Sequence, residues 1–174
     1  MQVILVDEHD LPLGAMEKLE AHRRARLHRA FSVFVFNDRQ EMLLQQRAGG
    51  KYHSGGLWSN ACCSHPAPGQ DLVSAAQKRL QEEMGFTTPL QKAFCFTYRA
   101  DMGNGLTEHE FDHVLVGRYS GELLPNPDEV SDYCYKSMDD IRRSLSEHPD
   151  RYTAWFKIAF PRLERYLLEA QSAE

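Results

Sequence analysis

The clearest pattern along the chain is helical. Leu72, Ala75, Ala76 and Leu80 recur at the spacing that lines up side chains on one helix face, with polar residues between them. Asp71 is placed to cap the start of this segment, and Gly85 to stop it. Elsewhere the period is mostly two. Residues 31–36 alternate aromatic and β-branched side chains, Asn37 and Asp38 supply a turn, and residues 41–47 are expected to pair back as a hairpin. Residues 2–7 read as a buried strand closed by a turn at 10–14, and residues 17–29 as helix-permissive or irregular. Residues 93–99, 107–119 and 130–135 read as further strands, with a Gly/Asn turn at 102–105. Ser137 with Asp140 opens a helix to about residue 147. A last helical segment over 155–170 holds Pro161, which predicts a kink or break. No repeat or linker divides this order, so one α+β domain with a mixed sheet is expected over residues 1–174.

Composition narrows the classes. With 42% hydrophobic and 26% charged residues the chain reads as a soluble globular protein. A net charge of -5 argues against general nucleic-acid binding, and the cluster Arg23, Arg24, Arg26 and Arg29 reads mostly as a solvated face. No apolar run approaches a membrane span, and the run from Met1 to Val6 is too short for a signal peptide. Cys62, Cys63, Cys95 and Cys134 include no CxxC pair, so neither a disulfide framework nor a zinc ribbon is expected. A cytoplasmic protein, monomer or homodimer, fits best.

Candidate chemistry concentrates in the stretch from Trp58 to Pro66, which Gly, Ser, Asn and Pro keep from being helical. Cys63 and His65, two apart on an extended segment, point the same way, either into one reactive cavity or as a buried Cys beside a satisfied His. Glu108 and Glu110 likewise share one side of a strand while His109 faces the other. Like charges so placed are either solvated or hold a cation. His22, His28 and His65 are the available imidazoles, and His9, His53, His109, His113 and His148 read as ordinary histidines. A mixed N/O site of that kind suits Mn²⁺, Mg²⁺, Zn²⁺ or Fe²⁺. Arg79 and Glu83, at i and i+4 away from the apolar stripe, are either a surface ion pair or a phosphate contact beside a Mg²⁺ ligand.

The segment ending Glu82-Glu83-Met84-Gly85-Phe86 resembles a degraded Nudix motif. Ser64 stands at the opening Gly, Gln70 at the next Glu, and Lys78-Arg79 at the Arg-Glu pair. The lost carboxylates are those a Nudix hydrolase uses to hold metals, so the scaffold reads as Nudix-type with hydrolysis disabled.

Across roughly residues 3–155 the chain resembles type 1 isopentenyl-diphosphate Δ-isomerase. The match rests on Glu17-Lys18 with His22, Arg26-Leu27-His28 with Ala30-Phe31, and Gln46-Arg47-Ala48 with Lys51. It continues through Trp58-Ser59-Asn60, Cys63-Ser64-His65-Pro66, Tyr98-Arg99-Ala100 and Glu108-His109-Glu110. Ser64 departs from the usual Gly, and the interval from His22 to His28 is one residue short of some members.

The resemblance implies a Nudix-like mixed β-sheet sandwiched by helices, and interconversion of isopentenyl and dimethylallyl diphosphate by a 1,3-proton shift. Cys63 and Glu110 would be the catalytic pair on opposite faces of the substrate, with Tyr98 assisting. His22, His28, His65, Glu108 and Glu110 would hold one divalent metal, Mn²⁺, Mg²⁺ or Zn²⁺, and Glu83 a Mg²⁺ that rides with the diphosphate. Lys18, Arg47, Lys51 and Arg79 would contact that diphosphate. Trp155 would either face a cationic carbon or simply pack in the core. A Nudix-type diphosphate hydrolase and a non-enzymatic metal- or prenyl-diphosphate-binding protein are the competing readings.

Overall fold

A computed structural model describes residues 1–173; Glu174, the last residue of the expected domain, lies outside them. The order begins β1 (Gln2–Val6), β2 (Pro12–Glu17), α1 (Lys18–Arg23), β3 (His28–Phe36) and β4 (Met42–Arg47). It continues β5 (Trp58–Ser59), β6 (Cys62–Ser64), α2 (Leu72–Met84), β7 (Leu90–Gly103) and β8 (Leu106–Arg118). It ends β9 (Val130–Lys136), α3 (Met138–Glu147), a 3₁₀ turn (Pro149–Arg151) and α4 (Ala154–Ser172).

Helix α2 forms as its pattern predicts. The Asp71 carboxylate accepts the Ser74 N–H at 3.0 Å, and Gly85 (φ 75°) donates its N–H to the Gln81 carbonyl. The strands assemble into one mixed sheet around β3. Strand β8 pairs with β3 in parallel from His28↔Glu110 to Phe36↔Arg118, and β6 pairs with it antiparallel through Phe31↔Ser64, Ser32↔Cys63 and Val33↔Cys62. Alternation then gives β3 two buried faces. Phe34 and Phe36 pack with Met42, Leu44, Phe156 and Phe160, on the side covered by α4. Val33 and Val35 pack with Leu43, Leu80 and Met84, on the side covered by α2. The result is the sandwiched α+β sheet that was expected.

Four local expectations change. Residues 10–14 are not only a turn, because Pro12–Glu17 form β2 against β1; its side chains are mostly exposed and carry no alternating signal. The 31–36/41–47 hairpin meets at a single pair, Phe36↔Met42, because Cys62–Ser64 takes the edge of β3 that a longer hairpin would need. Strand β4 pairs with β9 and β5 instead. Pro161 does not break α4, which runs from Ala154 to Ser172 and is pinned on both sides of the proline by buried Phe156, Phe160 and Leu163. The turn at 102–105 narrows to Asn104-Gly105, both with positive φ, as a two-residue hairpin requires.

None of the described helices is long and apolar enough to cross a membrane. All four cysteines are free.

Gly85 tests the end of α2. A Cβ there would lie 2.3 Å from the Leu124 carbonyl oxygen on a left-handed backbone. Gly85→Ala is expected to lower stability by about 2–4 kcal/mol, combining backbone strain with the clash. Urea unfolding followed by circular dichroism reads this directly; an unchanged midpoint would mean that the Leu124 segment yields freely.

Candidate active site

Strand β8 carries the acidic side of the site. Its two-residue period turns Glu108, Glu110 and Asp112 to one face, where they are 6%, 6% and 1% exposed. Three buried carboxyl groups in a row are costly unless each finds a partner. Glu108 and Glu110 share one partner and add others of their own, and Asp112 has its own. Tyr98, opposite Glu110 on β7, places its hydroxyl 2.7 Å from Glu108 Oε2 and 2.9 Å from Glu110 Oε2. A phenol has one proton, so that proton serves one carboxylate at a time and can change partner without movement of the oxygen. Glu108 Oε1 faces His53 Nε2 at 3.2 Å.

Glu110 Oε1 faces His65 Nε2 at 3.0 Å and His28 Nε2 at 3.6 Å. Burial by itself would raise the Glu110 pKa, but His65 and His28 outweigh it and hold the carboxyl well below its ordinary range. Asp112 goes the other way. Burial, with the charge of Glu110 behind it, pushes its carboxyl well up, and its Oδ2 accepts the Ser32 hydroxyl at 2.6 Å. Its environment therefore favours the protonated form more than that of Glu110 does.

Donor atoms of His22, His28, His65 and Glu110 all lie within 4.8 Å of one another. His28 Nδ1 bonds the Arg26 carbonyl at 2.8 Å, which fixes the tautomer and leaves a lone pair on Nε2. In the neutral ring that lone pair faces a Glu110 oxygen 3.6 Å away, and against burial the Glu110 carboxylate raises the His28 pKa. Nε2 of His22 and of His28 are both buried without a hydrogen-bond partner. Burial, followed by its His65 and His28 neighbours, lowers the His22 pKa to about 3 and keeps that ring neutral. Three imidazole nitrogens and a carboxylate oxygen converging on one point are the donor types a divalent cation takes once the rings are deprotonated, so the donor set fits a metal. Glu108 is not one of the four, since its oxygens are turned to Tyr98 and His53.

The thiol enters from the other side of β3. Pairing of β6 sets Cys63 opposite Ser32, with its sulfur 3.5 Å from Ser32 Oγ and 3.3 Å from Asn60 Oδ1. The Asn60 amide is pinned by bonds to the Val33 and Cys62 carbonyls at 2.9 and 3.0 Å. Burial, then the Asp112 carboxyl, pushes the thiol pKa up, against its hydrogen bonds to Ser32 Oγ and Asn60 Oδ1. One cavity is lined by Cys63, Glu110, Tyr98 and Trp155 together with Lys18, Arg47, Lys51, Arg79 and Glu83. His22 and His28 stand behind it in the wall, fully buried.

At the basic end the side chains are already engaged. Arg79 Nε lies 2.7 Å from Glu83, and Arg79 and Lys51 both pair with Glu129. Arg47 lies over the Trp155 ring at 5.2 Å, and Lys18 over the Tyr52 ring at 5.1 Å. Glu83 is buried rather than on a surface, and burial pushes its carboxyl pKa up while Arg79 opposes this. Trp155 is both a core residue, at 4% exposure, and a wall of the cavity.

Comparison with known proteins shows the family. Residues 26–156 match the NUDIX domain family. An isopentenyl-diphosphate Delta-isomerase of Pectobacterium atrosepticum is 53% identical over 165 residues, covering 95% of this chain and 92% of the relative. The isomerase 2 of Aromatoleum aromaticum is 49% identical over 162 residues, covering 93% and 86%. The chain belongs to the isopentenyl-diphosphate Δ-isomerases, within the Nudix family. In fold it is similar to a crystal structure from Deinococcus radiodurans (TM-score 0.78, 16% identity, covering 93% of this chain and 98% of that one). A MutT protein of Methanosarcina mazei also superposes (TM-score 0.66, 18% identity, covering 80% and 94%).

Within this isomerase family the departure at Ser64 is accommodated. Ser64 lies in β6 opposite Phe31 and is not among the residues with positive φ, so nothing in its backbone calls for glycine. Three partners of the site were not anticipated from sequence. His53 was set aside as ordinary, although it sits two residues after Lys51 in a loop bounded by Gly49-Gly50 and Gly55-Gly56. Asp112 continues the two-residue period of Glu108 and Glu110, a signal that was available. Glu129, 46 residues beyond Glu83, has no local signal that ties it to Lys51 and Arg79.

The upward push on the Asp112 carboxyl and its bond from Ser32 have a measurable consequence. Asp112→Asn keeps an acceptor for Ser32 and is expected to unfold within about 1 kcal/mol of the parent, whereas Asp112→Ala strands that hydroxyl at a cost of about 1–3 kcal/mol. Equilibrium urea unfolding of the metal-free protein separates the two. Equal losses in both variants would mean that the native carboxyl is charged.

Proposed function

We propose that this protein interconverts isopentenyl and dimethylallyl diphosphate, with Cys63 and Glu110 as the proton-transfer pair. The observation that carries the reading is that a thiol and a carboxylate held in opposite environments line the same cavity, with Tyr98 on the carboxylate and Trp155 in the wall. Protonating the alkene at its terminal carbon forms a C–H bond from the π pair and leaves positive charge on the tertiary carbon. Loss of a proton from the neighbouring carbon returns an electron pair to form the new double bond. The group that gives a proton in one direction takes it in the other, so one acid and one base on opposite sides of a five-carbon unit suffice. The Tyr98 proton, shared between Glu108 and Glu110, lets charge move along the carboxylate side without water entering.

His22, His28, His65 and Glu110, the four that converge, would hold a Mn²⁺, Mg²⁺ or Zn²⁺ ion with Glu108 outside them as a fifth ligand, and Glu83 would hold a Mg²⁺ with the diphosphate. Bound there, the first metal neutralises and orients Glu110, and Mg²⁺ offsets phosphate charge. Lys18, Arg47, Lys51 and Arg79 face the diphosphate, with Arg79 and Lys51 exchanging Glu129 for phosphate oxygens. A desolvated cation–π contact from Trp155 is worth about 2 kcal/mol. Enzymatic accelerations correspond to roughly 8–23 kcal/mol, so the placed acid and base and the dry pocket must supply most of the effect. The free cysteines suit a reducing cytoplasm.

Incubation with isopentenyl diphosphate and Mg²⁺ in deuterated water tests the reading. The expected result is dimethylallyl diphosphate carrying deuterium, with no phosphate or pyrophosphate released. Cys63→Ala and Glu110→Gln should each lower kcat by at least about 10²–10⁴-fold. Release of phosphate by a Cys63→Ala variant of undiminished activity would instead establish a Nudix hydrolase. Dialysis against a chelator should abolish isomerisation, and returning a divalent cation should restore it; full activity of rigorously metal-free protein would contradict the assigned ligands.

A further inference from the structure

Between β4 and β5 a loop folds over the cavity, and its tip carries Lys51 and His53. The base of the loop is stapled by backbone bonds from Gly56 N–H to the Arg47 carbonyl (2.9 Å) and from Arg47 N–H to the Leu57 carbonyl (2.8 Å). A Cβ at Gly55 would lie 2.8 Å from the Gly49 carbonyl oxygen, which shows how tightly the two glycine pairs are drawn together. His53 is turned inward from this loop and is 7% exposed.

We infer that His53 is a positioning residue for the isomerisation proposed above, fixing Glu108 through its Nε2–H and coupling the loop that carries Lys51 to the carboxylate side of the site. The distance from Nε2 to Glu108 Oε1 is 3.2 Å. On the far side of the ring, Nδ1 is 3.1 Å from the Ser54 hydroxyl, while Nε2 faces a carboxylate oxygen that can only accept, which places a proton on Nε2. The ring stands edge-on to Trp155, with centroids 5.9 Å apart, and to Tyr52 at 4.4 Å. Its backbone carbonyl accepts an Arg47 N–H at 3.2 Å. One residue thereby touches the phosphate end through Arg47, the cavity wall through Trp155 and the acid–base side through Glu108.

Geometry explains why Glu108 needs this. Its Oε2 is taken by Tyr98 and its Oε1 would otherwise be a bare, buried acceptor free to swing. With Oε1 held, the Tyr98 hydroxyl stays within reach of both carboxylates, and Glu108 keeps one orientation relative to the imidazole cluster. Partners that hydrogen-bond a metal-ligating carboxylate typically change affinity or activity by 10–100-fold when removed.

This inference rests on the functional reading, and its test separates the two. Parent protein, His53→Phe, His53→Met and His53→Gln are stripped of metal, titrated with Mn²⁺ by calorimetry, and assayed for kcat and KM with isopentenyl diphosphate. Phe keeps a ring and Met a flexible apolar chain, both without a donor, while Gln retains an N–H donor. Both donor-less variants are expected to bind Mn²⁺ about 10–100-fold more weakly and to lose kcat in the same range, and Gln to restore both. KM is expected to change less than about threefold, since the contact is not to substrate. Parental Mn²⁺ affinity and kcat in the donor-less variants that fold would overturn the inference, as would a Gln variant as impaired as Phe. If His53→Phe does not fold, the contrast between Met and Gln decides. A parent that neither isomerises nor takes up Mn²⁺ would overturn the functional reading, and this one with it.

Discussion

Glu110 is a buried carboxylate set against a nitrogen of each of two imidazoles, and the site is built around that arrangement. A buried charge is tolerated only when it is paired or coordinated, because transfer from water costs several kcal/mol even after relaxation. Here the chain supplies the partners from three separate elements. His28 begins β3, His22 lies on α1, and His65 follows β6. None of them is near Glu110 in sequence. The parallel register that sets His28 beside Glu110 is therefore the pivotal contact, and a slip by one residue would turn both away from the cavity.

The same strand separates the two halves of the chemistry. Strand β3 has β8 on one edge and β6 on the other, so carboxylates and thiol approach the cavity from opposite sides of a shared wall. Their environments diverge for local reasons. Glu110 is drawn down by His65 and His28 against burial, while burial and Asp112 push Cys63 up. Pairs of titratable groups driven apart in this way are suited to divide acid and base roles. Ser32 and Asn60 hold the sulfur in place without offering it a strong base, which keeps the thiol on a proton until the substrate is present.

At the other end, basic residues in an acidic protein are balanced rather than free. Glu129 pairs with both Lys51 and Arg79, and Glu83 sits against Arg79. Before substrate arrives the cations are thus kept from repelling one another across a partly buried cleft, where burial and then Lys51 and Arg79 already lower the Lys18 pKa. On the proposed reading a diphosphate would take these cations from their carboxylates, and the Mg²⁺ proposed at Glu83 would take up the carboxylate so released.

The sequence by itself determined the helix with its Asp71 and Gly85 ends, the strands around 31–36, 107–119 and 130–135, and the inward pairing of Glu108 with Glu110. These are local matters: a period of two or 3.6, a cap, a left-handed glycine, each decided within a few residues. It also supplied the family, because separated motifs keep their order along the chain. What only the tertiary structure decided were the partners. Strand β2 was hidden by its exposed side chains, and the hairpin was displaced because β6 occupies the edge of β3. His53, Asp112 and Glu129 gain their roles solely from what long-range register brings against them. Hydrogen bonds and ion pairs act over a few ångströms of space whatever the separation in sequence, so residue spacing marks which groups can react and packing settles which of them meet.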